Sequence, residues 1–389
     1  MPKKRVKQKQ DLIVLHLIPK FNRGGAEGVI ANFASGKQDE HINGYVACSG
    51  GDWTGHLENL GVKWFMIPSL YPSTPANAIR SFFILLLIVK RNNIDIIHSH
   101  HRFCSLVGRT VCFFSRTAFI CTVHDMASGN PLISSWAMGS SITVFSNAVA
   151  SHLVNELDAK SSHVCKIPIG IRAPAPLTDE YISEVKGQLD CPQGHSLIGF
   201  IGRLASEKAP DIFLRAIPEI LQYYTDTCFF IVGSGDMRKE LESLAVTLKI
   251  EKAIRFLGDR DDVFTLISCL DFVVVPSLRE GFGLVALESL SLGKPVIASY
   301  VGGLPEIISH EKNGLLVPPG QHKAIAEAAK RLLGSPTLTE KMGRKAREMT
   351  RNQYSISSMK KSMNIKYRDV LRKHTYGNPF GKFGTNTHL

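Results

Sequence analysis

Two kinds of apolar run alternate along the chain. Short β-branched runs read as strands at Leu12–Ile18, Tyr45–Cys48, Lys63–Ile67, Ile94–His98, Ala118–Val123, Ser141–Phe145 and Val164–Ile167. Between them, stretches with helical spacing lie at Ala26–Ser35, Asn77–Arg91 and Ala148–Asn155. A second series starts afresh at Leu197–Ile201 and continues with Cys228–Val232, Ile254–Leu257, Phe272–Val275, Pro295–Ala298 and Gly314–Val317. Its helices fall at Ala209–Tyr223, Arg238–Leu248, Val263–Cys269, Leu284–Leu292 and His322–Leu333. This alternation predicts an α/β protein with two doubly wound parallel-sheet domains in tandem. The join falls in Ile169–Gly194, which holds Pro174, Pro176 and Pro192. The expected division is a basic arm at 1–10, a first domain at 11–172, a second at 173–349, a closing helix at 350–375 and a disordered tail at 376–389. Ligands of such sheets sit beyond the carboxyl ends of the strands. Two facing domains would then hold one ligand in the cleft between them.

Composition narrows the class. Of 389 residues, 44% are hydrophobic and 21% charged, a globular balance. The longest apolar run, Phe82–Val89, is too short to span a bilayer. Eight scattered cysteines without a C-x-x-C pair argue against a zinc site or a disulfide framework and fit a reducing cytoplasm. The basic start followed by Leu12–Ile18 imitates a secretion signal. His16 interrupts the apolar part, however, and no small-residue cleavage site follows, so the expected location is inside the cell.

Charge is unevenly placed. Residues 1–170 carry 17 basic and 10 acidic side chains, residues 171–340 carry 17 and 22, and residues 341–389 carry 12 and 2. Basic ends suit phosphorylated substrates or anionic lipid, or simply keep the ends solvated. Nucleic acid is not expected, since no helix-turn-helix, finger or aromatic-basic motif is present.

The most informative stretch runs from Ser277 to Glu288. A strand ends at Pro276, and a loop carrying Glu280, Gly281, Phe282 and Gly283 leads into a helix at Leu284. The glycines let backbone approach a ligand, and the helix start offers N–H groups to phosphate. Glu280 and Glu288 are carboxylates placed to accept paired hydrogen bonds from sugar hydroxyls. The second cluster opens the second domain, where Arg203 and Lys208 flank the entry to a helix. Fixed cations there suit a diphosphate, above all a departing one.

In the first domain, Gly24-Gly25-Ala26-Glu27 follows the first strand and opens the first helix. Neither it nor Gly233–Arg238 makes the dinucleotide fingerprint, which demotes a dehydrogenase. His124 ends a strand, where its imidazole could meet a sugar hydroxyl or phosphate. His98-Ser99-His100-His101 imitates a metal cluster, but no carboxylate or cysteine motif completes it, and no metal is expected. Asp259-Arg260-Asp261 reads as turn chemistry or a wall of a base pocket.

Together these residues resemble the retaining glycosyltransferases of family 4, the group with the GT-B fold of two Rossmann-like domains facing across a cleft. The most specific pieces are Gly202-Arg203-Leu204 with Glu207-Lys208, Glu280–Leu284 with Glu288, Gly293–Ala298, Gly302–Glu306 and Asn313-Gly314-Leu315. The resemblance implies a nucleotide-sugar donor as substrate, with UDP the base by family frequency, and no cofactor or metal. Arg203 and Lys208 would hold its diphosphate and Glu288 its ribose. Glu280, with the backbone of Gly281, Phe282, Gly283 and Leu284, would hold sugar and phosphates. Gly24 and Gly25 would line the opposite wall, His124 would contact the sugar or its phosphate, and the closing helix would cross back to the first domain. Catalysis would rest on positioning and leaving-group stabilisation. One departure is Pro168-Ile169-Gly170, where the family commonly has Pro-Asn-Gly.

Two other readings compete: a sugar epimerase of the same fold, and a catalytically idle partner that binds nucleotide-sugar or a fellow transferase. For the acceptor, the apolar helix between Arg80 and Lys90-Arg91 is either buried or pressed into an anionic membrane. The latter would place the protein peripherally on the inner face of the cell membrane, beside a glycan or lipid-linked acceptor in surface-polysaccharide assembly.

Overall fold

The computed structural model describes residues 11–35, 41–71, 74–126, 136–171 and 177–376. The basic arm, Pro174 and Pro176 of the join, and the tail from 377 lie outside them. The chain divides into two compact units, Met1–Pro168 with Ser357–Leu389, and Ile169–Ile356. The crossings thus fall at 168/169 and 356/357, where the sequence suggested 172/173 and 349/350.

In the first unit the elements run β1 (Leu12–Leu17), α1 (Gly25–Ala34), β2 (Ile42–Cys48), α2 (Thr54–Asn59), β3 (Lys63–Met66), α3 (Pro75–Arg91), β4 (Ile96–Ser99), α4 (Arg102–Ser115), β5 (Ala118–Val123), β6 (Ile142–Val144), α5 (Asn147–Asn155) and β7 (Val164–Lys166). The second unit holds α6 (Asp179–Gln188), β8 (Ser196–Ile201), α7 (Pro210–Leu221), β9 (Thr227–Val232), α8 (Arg238–Thr247), β10 (Ile254–Gly258), α9 (Val263–Cys269), β11 (Phe272–Val275), α10 (Leu284–Ser291), β12 (Val296–Ser299), α11 (Leu304–Ile307), β13 (Gly314–Val317), α12 (His322–Leu333) and α13 (Pro336–Gln353). A last helix, α14 (Ile356–Tyr376), packs in the first unit.

Both sheets are parallel, in the orders β3-β2-β1-β4-β5-β6-β7 and β10-β9-β8-β11-β12-β13. Each reverses its winding beside its first strand, so the switch points lie between β1 and β4 and between β8 and β11. Ligand crevices of doubly wound sheets open there.

Strand alternation sorts the first core into two layers. Leu15 and Leu17 pack with Leu85, Ile88 and Val89 of α3 and Val111 of α4. On the other side Ile30 and Ala31 of α1 pack with Val46, Cys48 and Leu57. The second core gathers Phe213 and Ile217 of α7, Phe229 and Ile231 of β9, Phe272 and Val274 of β11, and Ala326 and Ala329 of α12. Burying each such phenylalanine contributes roughly 2–3 kcal/mol.

Helix α3 begins at Thr74, whose hydroxyl accepts from Asn77 N at 3.2 Å, and Pro75 fits the first turn. It is half buried. Leu85, Ile88 and Val89 face the core, while Ile79, Phe83 and Leu87 are 59, 59 and 52% exposed in a stripe along the outer face. Phe113 and Phe114 at the end of α4 are exposed too, and Phe114 meets Phe82 edge-on at 5.6 Å. Among the described residues, no helix is long and apolar enough to cross a membrane.

Two features depart from the sequence reading. Cys191 and Cys228 form a disulfide, with their Cα atoms 6.4 Å apart. The bond joins the segment before β8 to β9, a juxtaposition made by the fold that cysteine spacing does not reveal. Helix α13 starts at Pro336 and ends at Gln353, so the closing helical stretch is two helices broken at Tyr354 and Ser355. At that break Ile171 N donates to Tyr354 O at 3.0 Å, and Ile171 forms a parallel bridge with Ser355. The two chain crossings therefore lie side by side. Gly170 is required there, since a Cβ would sit 2.5 Å from Ile356 Cα. Ile169, the departure from the family pattern, is buried.

Candidate functional site

In the second unit the two loops flanking the switch point carry the predicted groups. After β11, Ser277–Gly283 turns into α10 with Gly283 as its cap at φ 97°. That left-handed conformation and the nearby Leu304 Cδ2, 2.6 Å from where a Cβ would lie, both demand glycine. No side chain caps α10, so its first-turn N–H groups and positive dipole end face the crevice. Gly281, Phe282 and Gly283 are all buried, as a backbone cradle requires.

After β8, Lys208 reaches across to this loop. Its Nζ donates to both oxygens of Glu280 at 2.9 and 3.0 Å, and Ser277 Oγ donates a third hydrogen bond at 3.0 Å. Glu280 is 9% exposed, and an ionised carboxylate at that depth needs such partners. A carboxylate has about four acceptor positions and an ammonium three donors. One of each therefore remains for a ligand, so Glu280 orients Lys208 as much as it would bind sugar. Arg203 is 63% exposed and donates to Glu207 at 2.6 Å. An exposed pair of this kind is worth little, so the guanidinium can exchange its carboxylate for phosphate.

Glu288 lies further along α10. Burial pushes its carboxyl up to about 7, and no side-chain partner is found for it among the described residues. Behind these loops Gly233 brings the loop after β9 against the loop of Arg203; a Cβ on it would lie 2.1 Å from Gly202 O. Of the Asp259–Asp262 turn, Arg260 donates twice to Asp262, both at 2.8 Å, which is turn chemistry.

At the corresponding edge of the first unit, α1 begins at Gly25 with Gly24 as an extended cap and no side-chain cap bond. Glu27 folds back beneath Gly24, where a Cβ would meet its Oε2 at 2.4 Å. Burial raises the Glu27 carboxyl above its ordinary range, and Asp52 adds to the rise.

His124 directly follows β5 and belongs to a polar row that the sequence analysis did not assemble. His16 on β1 pairs in register with His98 on β4, and Thr122 on β5 pairs with Thr143 on β6. His100 and His124 follow two positions after His98 and Thr122, on the same face. His124 Nε2 meets His100 Nδ1 at 3.0 Å, and His100 Nε2 meets His16 Nδ1 at 2.9 Å. His98 Nδ1 meets the Tyr367 hydroxyl of α14 at 2.6 Å, and its Nε2 meets Thr122 Oγ1 at 2.6 Å. Thr122 and Thr143 hydroxyls lie 2.5 Å apart, and Thr143 donates to Cys121 O at 3.4 Å. Burial holds His16 at about 3 and His124 at about 4, and holds His98 and His100 well below the ordinary imidazole value, so the row is neutral at pH 7.

His98 and His100 thus belong with His124, and the signal for it was present. H-x-H at the end of one strand and T-x-H at the end of another place four polar groups on one face. His16, His98 and His100 each bring a nitrogen within 4.8 Å of the others. Both nitrogens of His98 and of His100 are already hydrogen-bonded, however, so the three do not offer converging lone pairs.

Comparison with known proteins agrees with this geometry. The family model described as "Glycosyltransferase Family 4" matches residues 23–173, and "Glycosyl transferases group 1" matches 182–349. An uncharacterized glycosyltransferase of Methanocaldococcus jannaschii is 30% identical over 292 residues, covering 70% of this chain and 74% of that protein. N-acetyl-alpha-D-glucosaminyl L-malate synthase of Bacillus anthracis is 27% identical over 75% of this chain and 78% of its own. Among solved structures, Anabaena HepE in complex with UDP and glucose superposes with a TM-score of 0.83 at 20% identity, over 92% of this chain and all of that one. Two parallel sheets with their motif loops at both switch points, matched over nearly the whole length, make this chain a member of the group 1, family 4 glycosyltransferases with the GT-B fold.

Proposed function

We propose that the chain transfers a hexosyl group from a UDP-sugar to a glycan or lipid-linked acceptor, keeps the anomeric configuration, and needs no metal ion. The observation that carries this reading is Lys208 clamped on Glu280, which Ser277 also holds, beside the uncapped start of α10, with Arg203 close in sequence and in an exposed pair it can exchange. Ammonium, guanidinium and helix dipole together answer a diphosphate without a metal ion. In the reaction the bond from C1 of the sugar to the diphosphate breaks. The acceptor oxygen bonds C1 on the same face, and its proton passes to the departing phosphate oxygen. The positive groups stabilise the charge that grows on that oxygen. Glu288 receives the ribose hydroxyls, and Glu280 with Gly281–Leu284 receives sugar and phosphates. Gly24, Gly25 and His124 offer neutral contacts to phosphate or sugar oxygens. Uridine is favoured by neighbours crystallised with UDP and UDP-glucose.

Calorimetry with UDP, GDP and ADP tests the donor site. Selective binding of UDP that Lys208→Ala abolishes supports the reading, and binding of none by the wild type favours an idle partner. Retention is read from the anomeric configuration of the product, and metal independence from activity that survives EDTA.

The acceptor side of the proposal is peripheral attachment to an anionic bilayer on the inner face of the membrane. The exposed stripe Ile79, Phe83 and Leu87, ringed by exposed Arg80, Lys90 and Arg91, has the apolar-plus-basic character that such a surface takes up. Failure to sediment with anionic vesicles at low salt would end this part of the proposal.

A further inference from the structure

The hydrogen-bond row beneath His124 has a direction. Each neutral imidazole has one nitrogen that donates and one that accepts, so His124, His100 and His16 must all point the same way. In one sense His16 donates to His100 and His100 to His124, which leaves His124 with its hydrogen on Nδ1. In the other sense every ring carries its hydrogen on Nε2, and His124 presents a bare Nδ1. Either way the row ends at His16 Nε2, which is fully buried and has no partner. Among the described residues His124 Nδ1 has no hydrogen-bond partner, and unlike His16 Nε2 it is not sealed from solvent.

The two senses differ in what they leave at the buried end. The first leaves a bare ring nitrogen beside Phe33, whose ring lies 6.3 Å away and nearly parallel. The second leaves an N–H there, a buried donor with no acceptor in reach. None of the three rings is charged at neutral pH, so no extra proton relieves the choice. The neighbouring branch shows how firmly such rows are set. Thr143 donates to the Cys121 carbonyl, so Thr122 donates to Thr143, His98 Nε2 donates to Thr122, and the Tyr367 hydroxyl donates to His98 Nδ1. A carbonyl at one end fixes every hydrogen in that branch.

We infer that His16 and His100 are positioning residues that hold His124 as the Nδ1–H tautomer, so that it meets its ligand as a neutral hydrogen-bond donor and not as a base. The ligand side agrees, since phosphate oxygens only accept; that part rests on the donor reading above. The assignment makes His100 matter to transfer although it touches no reacting atom.

The test is nitrogen NMR of the full-length protein labelled with ¹⁵N-histidine, with the His124 signals identified by their loss in His124→Gln. The wild type should show the hydrogen on Nδ1 and a bare Nε2. A hydrogen on Nε2, or fast averaging between the two, overturns the inference. In His100→Phe the lock is gone and the His124 signals should shift toward a tautomer mixture, while unchanged signals also overturn it. Should that variant not fold, the wild-type spectrum still decides. Its kcat should fall about ten-fold with little change in donor KM, the size of one lost hydrogen bond made in the transition state. Because the spectrum needs no donor, an inactive protein with the Nδ1–H form would refute the function and leave the tautomer standing. An active protein with the Nε2–H form would do the reverse.

Discussion

The two sheets share an architecture and equip their ligand edges in opposite ways. The second unit relies on charge: Lys208 on Glu280, Arg203 on Glu207, and an uncapped helix start. The first relies on uncharged imidazoles and hydroxyls, buried and chained from Tyr367 to Cys121 and from His16 to His124. Under the proposed function the contrast follows from what each edge would have to do. Charge that grows on a leaving diphosphate calls for fixed positive groups, whereas orienting hydroxyls calls for directional groups that do not disturb that field. Buried charge must also be paired wherever it stands, and for that reason Glu280 has three donors while His16 Nε2 tolerates none.

The sharpest way to break this contrast is to remove charge on one side and a hydroxyl on the other. Lys208→Ala should cost about 3 kcal/mol of stability, because Glu280 is left buried without its cation, and should slow transfer by roughly 100- to 1,000-fold. Thr143→Val removes one neutral hydrogen bond and should cost about 1 kcal/mol. Urea unfolding of both variants compares them directly, and equal costs would erase the distinction.

Glu288→Gln asks whether charge in the second unit is held ready for a ligand. The folded carboxyl is raised from 4.5 to about 7, so the native state binds more protons than the unfolded one between those values. Stability contributed by Glu288 is therefore full below pH 4.5 and is lost as pH rises through about 7. The glutamine variant should gain about 3 kcal/mol over wild type at pH 8 and nothing at pH 4, measured by thermal unfolding. Hydroxyl donors on the carboxylate favour its charged form, so UDP should bind wild type more tightly as pH rises toward 8. Loss of that slope in the variant would tie Glu288 to the nucleotide.

The smallest expected effect on the fold lies on the outer face of α3. Phe83→Glu should leave the melting temperature nearly unchanged, within about 0.5 kcal/mol, yet weaken sedimentation with anionic vesicles about ten-fold. An unaffected vesicle interaction would return the stripe to ordinary surface.

Legibility followed the same divide. The second unit's candidate site could be assembled from sequence because its groups lie in continuous motifs: Glu280, Gly283 and Glu288 share one loop and helix, and α9 and β13 fell on the residues that apolar spacing gave them. The first unit's row could not be read in that way. Its members stand at positions 16, 98, 100, 122, 124, 143 and 367, and strand register together with the packing of α14 brings them together. Helix α4 lacks a clean apolar period, because Ser105 and Gly108 stand among Cys104, Val111 and Cys112 on its buried face. The spacing of cysteines likewise said nothing of Cys191 meeting Cys228. The exposed half of α3 was undetermined for a simpler reason: Phe82–Val89 is apolar all round, and only the packing of Leu85, Ile88 and Val89 shows which side turns inward.

The parallel bridge between Ile171 and Ser355 carries a consequence for how such a protein can change. It makes the second unit an insertion, a continuous segment whose two ends meet, set into a host completed by α14. A segment with adjoining ends can be exchanged as a cassette without asking the host to re-fold around a new span. If the proposed function holds, recombination at 168/169 and 356/357 would graft one relative's donor preference onto another's acceptor preference in a single event. Gly170, which admits Ile356 at close range, is the residue such a graft must keep.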